Sequence, residues 1–263
     1  MTQISIQHVD KVFKTAHSEV VALRDINIEI PQGQFVCLLG PSGCGKSTLL
    51  NAVAGFSLPS SGSILVDSKT VSEPGPDRGM VFQEYALFPW MTVAENVAFG
   101  LSIKKVPKAE ISQKVDSLLD KLKLGEFRNR YPKDLSGGMR QRVAIARVLA
   151  LDSPILLMDE PFGALDALTR RTLQEELLRI WAEWKKTILF VTHSIDESIF
   201  LADRIIVLSY RPGTLKKDVV VELPRPRDAS SESFSALRRE LSLLVMEEQQ
   251  RHDHAELSGL TAD

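Results

Sequence analysis

A glycine-rich segment of eight residues limits what this chain can fold into more than any other feature. Residues 40–47 read GPSGCGKS and fit the pattern G-x-x-x-x-G-K-[ST]. The segment follows the apolar run Phe35–Leu39 and precedes a predicted helix that begins within residues 45–50 and ends near Gly55. A strand, a loop and a helix in this order are the context in which the pattern forms a phosphate-binding P-loop. The sequence therefore predicts an α/β protein that binds phosphate groups.

The residues of this loop have separate expected roles. The glycines let backbone N–H groups turn inward, Lys46 neutralises the β- and γ-phosphates, and Ser47 places its hydroxyl on Mg²⁺. We therefore expect the phosphates of a nucleotide and Mg²⁺ as ligands. The expected phosphate-binding residues are Gly40, Pro41, Ser42, Gly43, Cys44, Gly45, Lys46, Ser47 and Thr48. The alternative is a glycine-rich turn that binds no ligand.

An acidic pair supports the P-loop interpretation. Asp159 and Glu160 follow the apolar run Ile155–Met158, so both carboxylates stand at the end of a predicted strand. Beside a P-loop, Asp159 can hold Mg²⁺ directly or through water. Glu160 can orient and deprotonate an attacking water. Without a P-loop, such a pair is more commonly a strand end that enters solvent.

The hydrophobic pattern predicts strands that alternate with helices around a mainly helical stretch. Apolar residues three and four positions apart favour helices within residues 92–151 and over residues 168–185. Short apolar or alternating runs bounded by turn residues favour strands. These runs are residues 4–9, 26–30, 35–39, 63–66, 80–82, 155–158, 188–191, 205–208 and 219–223.

The C-terminal part of the chain reads as one more helix after a break at Pro224 and Pro226. Its apolar residues fall on one helical face, and the polar tail beyond them, with His252 and His254, is expected to be solvated. The apolar face consists of Phe234, Leu237, Leu241, Leu244 and Val245.

The charge balance argues against one class of function. The chain has 32 basic and 34 acidic residues and a net charge of −2, whereas proteins that bind nucleic acid through its phosphates usually show a basic excess. Two cysteines, Cys37 and Cys44, are too few for a disulfide framework and favour a reducing compartment. No apolar run approaches the roughly 18 residues of a membrane span, and no signal peptide is recognisable. We expect a cytoplasmic chain with no nucleic-acid partner, whose membrane role would depend on a partner.

A third motif resembles that of a known family. Residues 135–139 read LSGGM and are followed by RQRVAIAR, shortly before the predicted strand that ends at Asp159. Together with the P-loop, this resembles the ATP-binding subunit of ABC transporters. The resemblance implies that two subunits pair head to tail, with each ATP between one P-loop and the other chain's signature. The signature residues would be Leu135, Ser136, Gly137, Gly138 and Met139. From the residues alone, the segment also fits an ordinary helix cap.

Four further residues match motifs of this family. Gln83 matches the Q-loop glutamine, which approaches Mg²⁺ and the attacking water, and His193 matches the switch histidine, which contacts the γ-phosphate. Asp166 resembles the aspartate of a loop that crosses the dimer interface, and Phe13 resembles the aromatic residue that stacks on adenine. Outside the family context, a histidine at a strand end or an aromatic residue near a strand is more commonly structural.

The resemblance thus implies a complete set of roles. The implied catalytic residues are Glu160, His193 and Gln83, and the implied metal ligands are Ser47, Gln83 and Asp159. Three positions depart from the common pattern of the family: Met139 replaces a glutamine, Phe13 a tyrosine and Gly163 a serine. The methionine removes a side-chain hydrogen bond but leaves the backbone donors.

The resemblance covers about residues 4–208 and implies a fold and partners. The implied fold is the ABC ATPase fold, a RecA-like P-loop NTPase core with an antiparallel β portion and an inserted α-helical subdomain. We expect an ABC ATPase domain over residues 1–223, with core segments 1–84 and 152–223 and a helical subdomain at about 85–151, and a helical extension over residues 224–263. The implied activity is ATP hydrolysis coupled to solute transport. The implied partners are a second copy of the chain, membrane permease subunits and, indirectly, a periplasmic solute-binding protein, at the cytoplasmic face of the inner membrane.

An apolar segment after Gln83 is a candidate contact surface for the permease. Residues 85–90 read YALFPW, which is unusually apolar for a loop. Such a patch either forms an interface or packs as core between the sheet and the helical subdomain. The LFPW part, together with YRPG at residues 210–213, resembles the branch that imports nitrate, sulfonates, taurine and related small anions.

Two other functions compete with the importer interpretation. The first is a soluble ABC-type ATPase that acts on DNA or ribosomes, but such proteins usually carry a long coiled-coil insert or a second cassette, and only 52 positions separate Gln83 from Leu135. The second is a metabolic P-loop kinase, which leaves Ser136, Gly137 and Gly138 of the signature unexplained, together with Gln83 and His193.

Overall fold

The computed structural model describes residues 2–14 and 19–260, with side chains described as far as residue 253. The strands are β1 (Thr2–Lys14), β2 (Glu19–Pro31), β3 (Phe35–Leu39), β4 (Ser61–Val66), β5 (Lys69–Thr70), β6 (Arg78–Val81), β7 (Ile155–Asp159), β8 (Thr187–Thr192), β9 (Arg204–Leu208) and β10 (Leu215–Val220). The α-helices are α1 (Lys46–Ala54), α2 (Val93–Ile103), α3 (Lys108–Lys121), α4 (Gly137–Ala150), α5 (Ala167–Trp184), α6 (Ile195–Leu201) and α7 (Glu232–Leu260). Two short 3₁₀ helices cover Gly125–Phe127 and Pro132–Asp134.

These elements form two compact units. The first combines residues 1–75 with residues 187–263, and the second is the continuous stretch 76–186. The helical subdomain expected at about residues 85–151 falls within the second unit, and its bounds stay a prediction.

An antiparallel sheet forms the N-terminal part of the first unit. Its strand order is β2-β1-β4-β5, and every neighbouring pair is antiparallel. Isoleucines on β1 and β2 are paired in register, as between Ile4 and Ile30, and are fully or almost fully buried. Their alternation with exposed residues gives the sheet one apolar face, as the sequence pattern predicts.

Parallel strands in the first unit bring three chain segments to one edge. β3 lies between β9 and β8 and is parallel to both, with Leu39 paired to Val207 on one side and to Thr192 on the other. All five residues of β3 are fully buried, as expected for a strand covered on both faces. The segments that follow β3, β8 and β9 therefore emerge side by side.

The second unit combines a short parallel pair of strands with packed helices. β6 and β7 are parallel, with Val81 paired to Met158. Helix α4 packs against α2, α3 and α5, and its buried residues include Val143 and Ala146. Helix α2 begins at a capping box, in which Thr92 accepts a hydrogen bond from the Glu95 N–H and the Glu95 carboxylate accepts one from the Thr92 N–H.

The C-terminal helix differs from the expected solvated tail. Phe234 and Leu241 are fully buried, in agreement with the predicted apolar face, but the side chain of Glu248 is buried as well. The imidazole of His252 stacks on the ring of Tyr210, with 4.6 Å between ring centroids, so the expectation of a solvated histidine is wrong at this position. The side chain of His254 lies outside the described residues.

Several predicted strand bounds are also wrong. β1 and β2 extend well beyond the predicted residues 4–9 and 26–30, because they pair with each other along most of their length. β10 covers Leu215–Val220 instead of residues 219–223, because it pairs antiparallel with β9 across the connection at residues 209–214, which fixes the register. Phe82 lies beyond the end of β6.

No helix within residues 2–14 and 19–260 combines the length and the apolar character that crossing a membrane requires.

Candidate active site

The P-loop connects β3 to α1 and has a backbone that requires glycine at two positions. Gly43 has φ +74° and Gly45 has φ +100°, in the left-handed region that residues with a Cβ rarely adopt. A Cβ at Gly45 would also lie 2.6 Å from Cδ2 of Leu23. At Gly40, a Cβ would lie 2.9 Å from the carbonyl oxygen of Leu208, so both glycines of the motif have a steric basis in this structure.

The start of α1 has the properties of an anion-binding helix end. Gly45 occupies the N-cap and makes no side-chain capping hydrogen bond. The helix dipole places a partial positive charge at this end, where backbone N–H groups can donate to a phosphate. Ser47 and Thr48 belong to the first turn and are half-buried.

The ammonium group of Lys46 lies within the loop itself. Its Nζ donates to the carbonyl oxygens of Gly40 and Pro41, both at 2.8 Å, and the residue is only 5% exposed. Fixed in this way, the positive charge is preorganised for a phosphate oxygen.

Cys44 fills space inside the P-loop. Burial raises the pKa of its thiol, and the nearby ammonium of Lys46 only partly offsets this effect. The thiol therefore stays protonated at neutral pH and has a packing role.

The parallel strands bring His193 to the same edge as the P-loop. Gly40 follows Leu39 and His193 follows Thr192, and Leu39 and Thr192 are paired partners on neighbouring strands. Oγ1 of Thr192 accepts a hydrogen bond from the N–H of Ser194 at 3.0 Å, which fixes the turn around the histidine. His193 is exposed at this edge, and its contact with a γ-phosphate remains a prediction.

Phe13 presents an exposed ring near the end of β1. It is 44% exposed, and the Nζ of Lys11 lies 5.2 Å from the ring centroid. An aromatic ring buried as core would not keep this exposure, so the core alternative does not hold for Phe13, and its stacking on adenine remains a prediction.

In the second unit, Gln83 and the acidic pair emerge from one edge. β6 and β7 are parallel, so the segments that begin after Val81 and Met158 run in the same direction. Gln83 is exposed, whereas Asp159 and Glu160 are half-buried. Three of the residues expected to act on Mg²⁺ and the attacking water thus follow the same ends of two paired parallel strands.

Glu160 has an unusual backbone. Its φ is +41°, and its carbonyl oxygen accepts a hydrogen bond from the N–H of Gly163 at 3.1 Å. A non-glycine residue in this region is strained, and such strain is concentrated at functional sites. The tight turn fixes the direction in which the carboxylate leaves β7.

The signature residues form the start of α4. Ser136 is the N-cap and accepts a hydrogen bond from the N–H of Met139 at 3.3 Å, while Leu135 is buried. A Cβ on Gly138 would lie 2.5 Å from Cγ2 of Thr169, so α5 requires glycine there. Capping and phosphate binding are compatible, because the cap uses one N–H group and leaves others at the helix end.

Asp166 caps α5 with its carboxylate. It accepts hydrogen bonds from the N–H groups of Leu168 at 3.1 Å and Thr169 at 3.0 Å. The hydrogen bond from Thr169 is the main reason why the pKa of Asp166 is lowered. The side chain is exposed and stays charged, and its role at a dimer interface remains a prediction.

The loop at residues 85–90, here the aromatic loop, is attached to α4 by an arginine that the sequence analysis did not single out. Tyr85 and Ala86 have φ of +55° and +48°. Arg147 donates to both of their carbonyl oxygens, at 3.3 Å and 2.7 Å, and its guanidinium lies 5.5 Å from the ring of Phe88. An arginine in a helical pattern gives no sequence signal for such a contact.

Asn96 is a second contributor that the sequence did not reveal. It is fully buried, and its Nδ2 donates to the carbonyl oxygens of Phe88, Met91 and Thr92. Its Oδ1 accepts from the N–H of Phe88 at 2.9 Å. These bonds fix the aromatic loop on α2, and yet Trp90 remains 70% exposed. Trp90 is therefore not a core residue, and its contact with a permease remains a prediction.

The donor chemistry fits Mg²⁺ held jointly with a nucleotide. Within the described residues, no cluster of three or more His, Cys, Asp or Glu side chains could hold a metal by itself. Mg²⁺ in nucleotide sites commonly uses one or two protein oxygens together with phosphate oxygens and water. The hydroxyl of Ser47 is a donor of this kind, and so is the carboxylate of Asp159.

Comparisons with known proteins agree with these features. The profile of the ABC transporter family matches residues 23–163. The aliphatic sulfonates import ATP-binding protein SsuB of Bacillus cereus is 47% identical over 238 residues, which cover 90% of this chain and 94% of that protein. The nitrate import ATP-binding protein NrtD of Synechocystis is 47% identical over 237 residues, which cover 90% of this chain and 89% of that protein.

A solved structure supports the fold. The dimeric structure of a post-hydrolysis state of an ATP-binding cassette bound to ADP and Pi superimposes with a TM-score of 0.75 and 32% identity, covering 84% of this chain and 100% of that one. The likeness confirms the predicted ABC ATPase fold. Since the family profile covers more than half of the chain and the relatives nearly all of it, the chain belongs to the ABC transporter family and is an ATP-binding subunit with ATPase activity.

Proposed function

We propose that this chain powers an importer of small anions, such as nitrate, a sulfonate or taurine. The observation that carries the proposal is the similarity to import ATP-binding proteins for aliphatic sulfonates and for nitrate, each over about nine tenths of both lengths. Within the importer, the chain hydrolyses ATP and transmits the resulting movement to its partners. The soluble nucleoprotein ATPase and the kinase are not favoured.

The P-loop binds the phosphates of ATP in this proposal. Backbone N–H groups of residues 40–48 and the first turn of α1 donate to the phosphate oxygens, and Lys46 supplies a positive charge. Phe13 stacks on adenine through its exposed ring. The glycine conformations and the buried ammonium group of Lys46 support this role.

Hydrolysis depends on carboxylates in the second unit. Ser47, Asp159 and Gln83 hold Mg²⁺, which when bound neutralises charge on the phosphates. Glu160 accepts a proton from the attacking water, and its strained backbone supports a fixed carboxylate direction. Gln83 orients the same water.

His193 donates a hydrogen bond to the γ-phosphate. Its exposed position beside the P-loop supports this role. A donor aimed at an oxygen that gains negative charge lowers the barrier to hydrolysis.

Two copies of the chain act together in this proposal. The signature residues 135–139 of one copy cover the ATP bound to the P-loop of the other, and Asp166 lies at the interface. The support comes from the exposed N-cap Ser136 and from the dimeric cassette structure, to which this chain is similar. The helix end at Ser136 has the polarity that a γ-phosphate requires.

The aromatic loop contacts the membrane permease. Trp90 is the most exposed of its aromatic side chains, and exposed tryptophans are frequent at interface hot spots. Through the permease, the chain is bound peripherally at the cytoplasmic face of the inner membrane, and a periplasmic solute-binding protein selects the anion. Nucleic acid is not a partner.

Two measurements test the function. First, Lys46→Ala should weaken binding of a fluorescent ATP analogue at least tenfold, because a buried phosphate charge loses its partner. Unchanged binding would remove the P-loop from the ATP site.

Second, the chain reconstituted with its permease and binding protein in proteoliposomes should take up a sulfonate or nitrate only with ATP. Uptake of neither anion, with uptake of an unrelated solute in the same vesicles, would contradict the proposed substrate class.

A further inference from the structure

The YRPG motif at residues 210–213 lies on the P-loop, a contact that the proposed function does not use. β9 is the neighbour of β3, with Val207 paired to Leu39, so the turn after β9 emerges beside Gly40. We call residues 209–214 the 209–214 turn. Ser209 closes it, since its N–H donates to the Thr214 carbonyl oxygen at 3.0 Å and its Oγ accepts from the Thr214 N–H at 2.9 Å.

The 209–214 turn holds the P-loop from outside through a charged hydrogen bond. Nε of Arg211 donates to the carbonyl oxygen of Gly43 at 3.0 Å. A Cβ on Gly43 would lie 3.5 Å from Nη2 of Arg211, so the guanidinium covers this residue. Gly43 is one of the two P-loop residues with positive φ. A glycine backbone has little intrinsic preference between positive and negative φ, so an outside contact is needed to fix it.

The opposite end of the turn is attached to β2. The N–H of Gly213 donates to the carbonyl oxygen of Ala22, and the carbonyl oxygen of Gly213 accepts from the N–H of Arg24, both at 2.9 Å. A Cβ on Gly213 would overlap the carbonyl oxygen of Cys44, so the turn and the P-loop are packed backbone to backbone. Arg211 therefore acts from a fixed base.

The C-terminal helix holds the residue next to Arg211. The carboxylate of Glu248 accepts a hydrogen bond from the N–H of Tyr210 at 2.8 Å, and His252 stacks on the Tyr210 ring with an interplanar angle of 6°. Glu248 is buried and also accepts from Nζ of Lys216 at 2.5 Å. A buried carboxylate satisfied in this way is costly to displace, so it fixes α7 to the turn.

Taken together, these contacts form a continuous connection from α7 to the P-loop. In a trans peptide unit the C=O and the N–H point in opposite directions, so a donor that fixes the carbonyl of Gly43 from outside also fixes the orientation of the Cys44 N–H. We propose that Arg211 is a positioning residue for the P-loop, and that α7 keeps Arg211 in place through Tyr210. This inference rests on the proposed function only in that the P-loop is the ATP site.

The first experiment removes the guanidinium from the purified full-length chain. Arg211→Ala should raise the KM for ATP about tenfold, the effect of one charge-assisted hydrogen bond, and leave kcat within about twofold, because binding is lost equally in ground and transition states. The KM of Arg211→Lys should fall between those of the unchanged chain and of Arg211→Ala. Arg239→Ala removes one exposed arginine on α7 and is the control for net charge.

The second experiment tests the connection to α7 by a double-mutant cycle. His252→Ala removes the stacked ring and should raise the dissociation constant of a fluorescent ATP analogue several-fold. In the Arg211→Ala background the same change should have little further effect, because both act through one contact. Thermal midpoints of all four proteins show whether each of them is folded.

Three results would overturn the inference. The first is an Arg211→Ala protein whose KM for ATP equals that of the unchanged chain. The second is an Arg211→Ala protein that loses kcat while its KM stays the same. The third is a His252→Ala change that raises the dissociation constant by the same factor with Arg211 present and with Arg211→Ala. Lys46→Ala separates the two proposals: if it abolishes ATP binding while Arg211→Ala binds normally, only this inference fails. If Lys46→Ala binds normally, the proposed ATP site itself is wrong.

Discussion

The guanidinium of Arg147 donates a 2.7 Å hydrogen bond to the carbonyl oxygen of Ala86, across 61 positions of sequence. Arg147 belongs to α4, which begins at the signature, and Ala86 belongs to the aromatic loop after Gln83. A second bond to the carbonyl oxygen of Tyr85 makes the contact bidentate. Two segments with separate proposed partners, a second ATPase chain and a permease, are therefore fixed to each other within one compact unit.

Replacement of Arg147 should destabilise the chain in proportion to the bonds lost. Burial lowers the pKa of its guanidinium, and the group is held by backbone carbonyl oxygens. Arg147→Ala should reduce the free energy of unfolding by about 2–3 kcal/mol, and Arg147→Lys by about 1–2 kcal/mol, because a lysine lacks the planar fork. Urea denaturation measures both.

A surface arginine is the control for this pair of variants. Arg171 forms an exposed ion pair with Glu175 one helical turn away. Arg171→Ala should change the unfolding free energy by less than about 0.5 kcal/mol. Equal midpoints for Arg147→Ala and Arg171→Ala would show that the contact to the aromatic loop contributes nothing.

Removal of the proposed base should separate ATP binding from hydrolysis. Glu160→Gln keeps the shape of the side chain and removes its basicity, so turnover should fall at least about a hundredfold while the ATP dissociation constant stays within a factor of about three. Phosphate release and analogue binding measure the two quantities. A variant with near-normal turnover would exclude Glu160 as the base.

Two aromatic residues of one loop should respond differently to truncation. Trp90 is 70% exposed, so Trp90→Ala should leave the thermal midpoint of the chain unchanged. If Trp90 is an interface hot spot, the same change should weaken assembly with the permease by about 2 kcal/mol or more. Pull-down of the permease at several chain concentrations measures this loss.

Phe88 is the matched control for Trp90. Phe88 is half-buried, and the centroid of its ring lies 4.5 Å from that of Phe99. Phe88→Ala should therefore lower the free energy of unfolding of the isolated chain by about 3 kcal/mol. The interface hypothesis fails if Trp90→Ala destabilises the isolated chain as Phe88→Ala does, and assembly remains intact.

Alkaline pH should destabilise the chain through Cys37. Burial raises the pKa of this thiol well above its ordinary value of 9.0. Above about pH 9, the Cys37 thiol of the unfolded chain loses its proton, whereas the same thiol in the folded chain keeps it. The unfolding free energy therefore falls as pH rises, by up to about 1.4 kcal/mol per pH unit. Urea midpoints between pH 8 and 10.5 test this.

The Cys37→Ala variant isolates the contribution of this thiol. Its stability should fall less steeply with pH over the same range, although it is lower at pH 7 because a cavity is left in the core. Cys44, whose pKa is also raised by burial, accounts for part of the remaining slope. Identical slopes in the two proteins would contradict the assignment to Cys37.

The sequence predicts β3, the P-loop and the bounds of α1 well, because each follows from a local rule. A uniformly apolar run of five residues bounded by turn residues is typical of a buried strand, and Gly55 ends α1 with φ +85°. The family motifs likewise imply roles for Glu160 and His193 without any structure, and these roles remain predictions.

Other features depend on contacts between distant residues, which local patterns do not contain. Glu248 reads as one more polar residue of a solvated helix, yet it is buried because Lys216 and the N–H of Tyr210 lie opposite it. Asn96 reads as an ordinary helix residue, and only the path of the aromatic loop places the carbonyl oxygen of Phe88 against it. In both cases a tertiary partner outweighs the intrinsic preference of the residue.

The close packing of Gly138 against Thr169 makes these two positions interdependent in any variant of this chain. An added methyl group at position 138 would lie 2.5 Å from Cγ2 of Thr169, so the space between α4 and α5 accommodates one such group and not two. Alanine can enter at position 138 only when position 169 gives up its methyl group, as in Thr169→Ser. A library that randomises the signature alone will therefore recover glycine at this position, whereas one that varies both sites together will recover compensated pairs.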